Sequence, residues 1–143
     1  MKEIYKKLFK VQQEIKPIVK DSENPYFNSF YFDINKVIEV IKPILNNAGL
    51  MVLQPVVVLD GKMNLKTIIV DVESGEQIES FCLLPENVEP QKMGSAITYY
   101  RRYSLQSLLF LQEEDDDANA TKPTANKSYA PRPIPKKQES NFV

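Results

Sequence analysis

The sequence predicts an α+β fold in the order α-α-β-β-β-α. In it a three-stranded antiparallel β-meander packs against a long C-terminal helix, with two helices ahead of the sheet. Three observations carry this reading. Apolar residues recur at helical spacing over 2–20, 34–47 and 90–111. Residues 50–84 form three short apolar or alternating runs, parted by the turn signals Asp60-Gly61 and Glu73-Ser74-Gly75. Those connections are too short for parallel crossovers, so neighbouring strands run antiparallel.

The first helix, 2–20, gathers Ile4, Leu8, Val11, Ile15 and Ile18 on one side and Lys2, Lys6, Lys10 and Lys20 on the other. Tyr5 and Phe9 fall near the lysines, so either a second face is buried or those rings meet a partner. Residues 22–33, SENPYFNSFYFD, read as a turn-rich loop with Tyr26, Phe27, Phe30, Tyr31 and Phe32. These rings either anchor the loop on the core or stack on bases or a neighbouring subunit. Asp33 caps a helix over 34–47 whose apolar side is Ile34, Val37, Ile38, Ile41 and Leu45. Pro43 should kink or divide that helix, and Gly49 ends it.

The strands are 50–59, 63–72 and 76–84. Pro55 lacks the donor a central strand needs, which places the first strand at an edge or gives it a bulge. Cys82 reads as a small buried apolar residue. Pro85 ends the sheet and Pro90 suits a first helical turn. In the helix 90–111, Met93, Ala96, Ile97, Tyr100, Tyr103 and Leu111 share a packing face. Arg101 falls on a second face, and Arg102 with Tyr99 on a third. The stretch LQSLLFL is apolar all round, so it should be buried on several sides, and self-association follows from the surplus.

The 143 residues divide into a core, 1–117, closed by the acidic run Glu113–Asp117, and a polar, Pro- and Lys-containing disordered tail, 118–143. Residues 1–112 hold 13 basic and 13 acidic groups, so any polyanion site must be a local basic patch. No apolar run spans a membrane, and the charged N-terminus is no signal peptide. Cys82 stands alone, so no internal disulfide forms and a reducing compartment is indicated. There is no histidine, no phosphate-cradling glycine loop and no metal-ligand cluster, so the expectation is a protein that is not an enzyme, with no cofactor and no metal. Consecutive acids seldom converge on one ion; the run suits fraying or a basic surface on a neighbour better.

The binding signal is Tyr99-Tyr100-Arg101-Arg102-Tyr103. Arginine pairs with phosphates in bidentate fashion and aromatic faces stack on unpaired bases. Adjacent arginines point about 100° apart on a helix, so the two cannot serve one groove equally. The DNA-binding candidates are Arg101, Arg102, Tyr99 and Lys92, with Tyr31 and Lys36. The competing reading is an assembly or adaptor module whose YYRRY helix makes only subunit contacts. A magnesium-dependent nuclease using the acidic run is a third.

NPYFNSFYFDINKVIEVIKPILNNAGL at 24–50, SGE at 74–76 and PQKMGSAITYYRRYSLQSLLFLQEEDDDAN at 90–119 resemble the ERF (essential recombination function) family of phage single-strand annealing proteins. The resemblance covers 1–119. It implies ATP-independent binding of single-stranded DNA and annealing of complementary strands by rings or filaments of many subunits. It also implies a bacterial cytoplasm as the setting, with a phage or prophage origin. A host single-strand-binding protein is a candidate further partner. Tyr100 stands where the family commonly has a small residue.

Overall fold

The computed structural model describes residues 2–19, 22–24, 29–31 and 33–114, with backbone alone described at 22–24 and 29–31. Along the chain run α1 (Glu3–Glu14), β1 (Ile18–Val19), β2 (Ser22–Asn24), β3 (Ser29–Tyr31), α2 (Ile34–Asn47), β4 (Leu50–Leu53), β5 (Val56–Leu59), β6 (Lys62–Asp71), β7 (Gln77–Leu83), α3 (Pro90–Leu109) and β8 (Glu113–Glu114). The fold is α+β, with three helices among the described residues and an antiparallel sheet.

That sheet has four strands where three were expected, because the run 50–59 is divided at Gln54-Pro55 into β4 and β5. Both pair with β6, and β7 pairs with β6 as well. The register does not slip at the division: Leu53 faces Ile68 and Val56 faces Leu65. Pro55 therefore makes no bulge. Its carbonyl still accepts from the Lys66 N–H at 2.9 Å, and only the donor that proline lacks is missing. Of the two expectations for Pro55, the edge position is the one realised. Asp60 and Gly61 both take positive φ, 50° and 74°, the pairing that a type I′ hairpin demands.

The two helices before the sheet differ in how well local chemistry defines them. α2 begins at Asp33, whose carboxylate accepts from the Lys36 N–H at 2.8 Å, and stops at Gly49, which takes φ 76°. Pro43 does not divide it; the helix runs unbroken from Ile34 to Asn47. α1, in contrast, stops at Glu14 rather than at residue 20. Pro17 removes an N–H and disfavours a helical residue before it. The apolar spacing continues past that break, and Ile18 is still buried, but from the short strand β1. β1 pairs in parallel with β8, and β2 with β3 in antiparallel fashion. Both pairs fall where the sequence pattern suggested helix, loop or acidic tail.

The core lies between the inner face of the sheet and the helices. Ile4 and Val11 of α1, Val37, Ile41 and Leu45 of α2, Leu50, Ile69, and Leu105 and Leu109 of α3 are buried together. Deep at its edge, Asp71 is fully buried and accepts from the Lys7 ammonium at 2.7 Å and from the Glu73 N–H at 3.0 Å. The Lys7 hydrogen bond, more than any other contact, holds the Asp71 carboxyl at about 2, against the desolvation that would raise it. Lys7 also reaches Glu73 at 2.7 Å, and its own pKa is raised chiefly by the Asp71 hydrogen bond. Together these contacts fasten α1 to the β6–β7 turn.

Candidate nucleic-acid interface

α3 starts at Pro90 in the first turn and ends at Leu109, two residues short of the expected end. Phe110 takes φ 56° and ψ 45°, a left-handed conformation that terminates the helix, and its N–H reaches the Gln106 carbonyl. The expectation that LQSLLFL is buried on several sides fails here. Leu105 and Leu109 are buried, but Phe110 is 86% exposed. Periodicity assumes the helix continues; once the backbone turns left-handed, the next ring leaves the helical surface altogether.

Around α3 the motif residues separate. Lys92, Tyr99, Arg102 and Tyr103 fall within one sector, because seven residues make about two turns; Arg102 is half-buried there and the other three are exposed. The Tyr99 and Tyr103 rings are 4.4 Å apart. The Arg102 guanidinium sits 4.9 Å from the centre of the Tyr103 ring and 5.6 Å from that of Tyr99. A cation over two rings is a compact unit worth about 0.5–2 kcal/mol per pair. Tyr99 is 50% and Tyr103 43% exposed. Tyr103 therefore belongs with this cluster and not with the packing face where its spacing put it. The Tyr99 phenol is held above its ordinary pKa, first by its hydrogen bond with Tyr103 and then by charge repulsion from the same group. The Tyr99 ring is therefore neutral near pH 7 and open to stacking. Tyr100, edge-on to Tyr99 at 5.3 Å, is half-buried, as expected of a packing residue.

Arg101 goes elsewhere. It lines a groove of about 620 Å³ between α2, β4 and α3, together with Lys42, Asn46 and Gln54 over apolar walls. Gln54 fixes that side of the helix: its amide donates to the Thr67 hydroxyl at 3.0 Å and to the Arg101 carbonyl at 3.2 Å. Lys36, in the first turn of α2, lines a different depression with Lys16, Val19 and Val40, and lies 4.0 Å from Glu39. So the six candidates do not make one site. Lys92, Tyr99 and Arg102 share a stripe; Arg101 and Lys36 each face another surface. The backbone of Tyr31 is in β3, while its side chain, with Tyr26, Phe27 and Phe32, lies outside the described residues.

A family model, the ERF superfamily, matches residues 4–142. The chain belongs to the ERF superfamily. No curated protein and no solved structure matches it. The match runs through the YYRRY helix and on across the tail that sequence composition had set apart. Two features of this ERF chain bear on other chemistries. No group of metal-ligating side chains occurs among the described residues, with Asp115–Asp117 outside them. No helix among them is long and apolar enough to cross a membrane.

Two groups of apolar residues remain exposed, and only the second had no signal of its own in the sequence. Tyr5 and Phe9 gain no second buried face and stay exposed on α1. On the outer face of the sheet Met51, Leu53, Phe81 and Leu83 are exposed around the Lys66–Glu79 ion pair of 2.8 Å. Cys82, on the inner face, is half-buried where burial was expected. Only the pairing register tells these two faces apart.

Proposed function

We propose that this ERF-superfamily chain binds single-stranded DNA and anneals complementary strands without a nucleotide cofactor, in recombination of the phage type. The observation that carries the reading is the Tyr99–Arg102–Tyr103 cluster, exposed on the most motif-rich helix of a chain matched by the family over nearly its whole length. Arg102 supplies the phosphate contact and the two tyrosines supply stacking faces, about 1–3 kcal/mol for each base stacked. Lys92 extends the cationic stripe about 15 Å towards the helix N-terminus. Such an arrangement needs no acid, base or metal, because pairing is chemistry the two strands carry themselves. The protein's part is to hold backbones close with bases accessible. Repetition of the stripe in a homo-oligomer would let weak sites retain a long strand and explains how a chain of net charge −1 holds a polyanion. The setting that fits is the cytoplasm of a phage-bearing bacterium.

The test is a fluorescent annealing assay on complementary oligonucleotides without ATP or metal. Pairing should run much faster with the protein than alone, and affinity should fall steeply with added salt. Equal rates with and without protein would refute annealing. The adaptor reading rests on Arg101, which faces a groove rather than the exposed stripe. It predicts that Arg102→Ala leaves oligonucleotide binding intact.

A further inference from the structure

We infer that one copy of this chain inserts Phe110 into the α2–β4–α3 groove of the next, so that copies join head to tail. Two oddities meet at Phe110. Its ring is 86% exposed, and its φ of 56° is a conformation that glycine or asparagine adopts freely and a bulky residue does not. Ending the helix requires only the left-handed backbone, so no packing among the described residues accounts for the phenyl ring. A ring held outward on a strained, well-defined backbone is a knob.

The matching hole is on the same chain. The groove is walled by Ile38, Ile41, Leu45 and Leu105 and has a volume of about 620 Å³. A dry cavity of roughly 150 Å³ already accepts a benzene ring. Charge selects the occupant. The groove carries Lys42 and Arg101 and has no carboxylate among its lining residues. Four residues beyond Phe110 stands the exposed Glu114, within the five consecutive acids that begin at Glu113. An acidic knob and a basic, apolar-walled hole are complementary, and one chain carries both.

Phe110 cannot enter the groove of its own copy. Arg101 and Phe110 are nine residues apart, which is about 13 Å along α3 and roughly half a turn around it. The contact is therefore between different patches of two copies, and such contacts propagate into a ring or a filament. The phenyl ring is an anchor that buries about 150–250 Å², with the acid–base contacts around it. This inference does not rest on DNA binding and is tested without DNA.

The experiment is sedimentation velocity on the full chain at low salt. Wild type should sediment as a large assembly. Phe110→Gly, and separately Lys42→Glu with Arg101→Glu, should sediment as monomers. Phe110→Gly should melt no lower than the groove variant, which is monomeric too, since glycine relieves the positive φ; Phe110→Asn should behave alike. Mixed in equal amounts, the knob variant and the groove variant should form dimers and nothing larger, because each mixed pair has one intact knob and one intact groove. A monomeric wild type, an undiminished assembly in Phe110→Gly, or a mixture that stays monomeric would overturn the inference. So would a thermal midpoint for both Phe110 variants far below that of the monomeric groove variant, which would make the ring structural.

Discussion

The two ends of α3 do different things. At the C-terminal end Leu105 and Leu109 are buried with residues of α1, α2 and the sheet. Over residues 90–104 no residue is fully buried, and Tyr99 and Tyr103 are each about half in solvent. One end of the helix is fastened and the other is presented. The general point is that a motif's chemistry depends less on its residue types than on which end of its element the core holds. Arg101 and Arg102 show it most sharply, since adjacent identical side chains finish on different surfaces.

That contrast can be broken by substitution. The largest effect should come from Leu105→Ala at the fastened end, a loss of about 2–5 kcal/mol through the cavity it leaves, read from the urea midpoint. Tyr99→Ala at the presented end should change stability by no more than about 0.5 kcal/mol; a comparable loss at both sites would abolish the distinction. Next comes acid. The Asp71 carboxyl is held at about 2, below its ordinary 3.8. Its contribution is complete above about pH 4 and disappears as pH falls towards 2. Lys7→Ala should therefore be less stable than wild type at neutral pH, with the difference narrowing across that window. A difference constant from pH 6 to pH 2 would show that the Lys7–Asp71 pair does not fasten α1.

Arg102→Ala should weaken oligonucleotide binding about tenfold, the equivalent of roughly 1.4 kcal/mol, close to the lower bound for hydrogen bonds to charged groups. Arg101→Ala should weaken it less when binding is compared at equal oligomer size. Equal losses would mean that both arginines reach the strand. A small gain is expected at Gly94, where an added Cβ meets nothing within 4 Å. Gly94→Ala should stabilise α3 by about 0.5–1 kcal/mol, because glycine is a poor residue inside a helix. If that variant melts higher but anneals more slowly, DNA or a partner backbone passes close to the presented end.

Features set by neighbouring residues were legible in the sequence. Asp33 and Gly49 mark the ends of α2, and Asp60-Gly61 its hairpin, because caps and tight turns are contests between a few adjacent groups. Pro17 was as visible as either, yet the apolar spacing of Ile15 and Ile18 concealed its effect: Ile18 is buried whether the backbone there is helix or strand. Half of the candidate stripe was legible in the same way. Tyr99 and Arg102 share an angular sector that counting residues finds. Tyr103 lies at the border of two sectors, and counting alone could not say which side the sheet would cover.

By itself, then, the sequence determined the α+β order, the turns, the helix caps and the motif that joins this chain to the ERF superfamily. All of these arise from residues close together along the chain. Tertiary structure alone decided that Lys7 meets Asp71 across 64 residues, that Arg101 faces a groove while Arg102 lies over tyrosines, and that Phe110 stands out in solvent. Each of these depends on where a distant element packs. Packing is set by the summed burial of many side chains, and no short window of the sequence contains that sum.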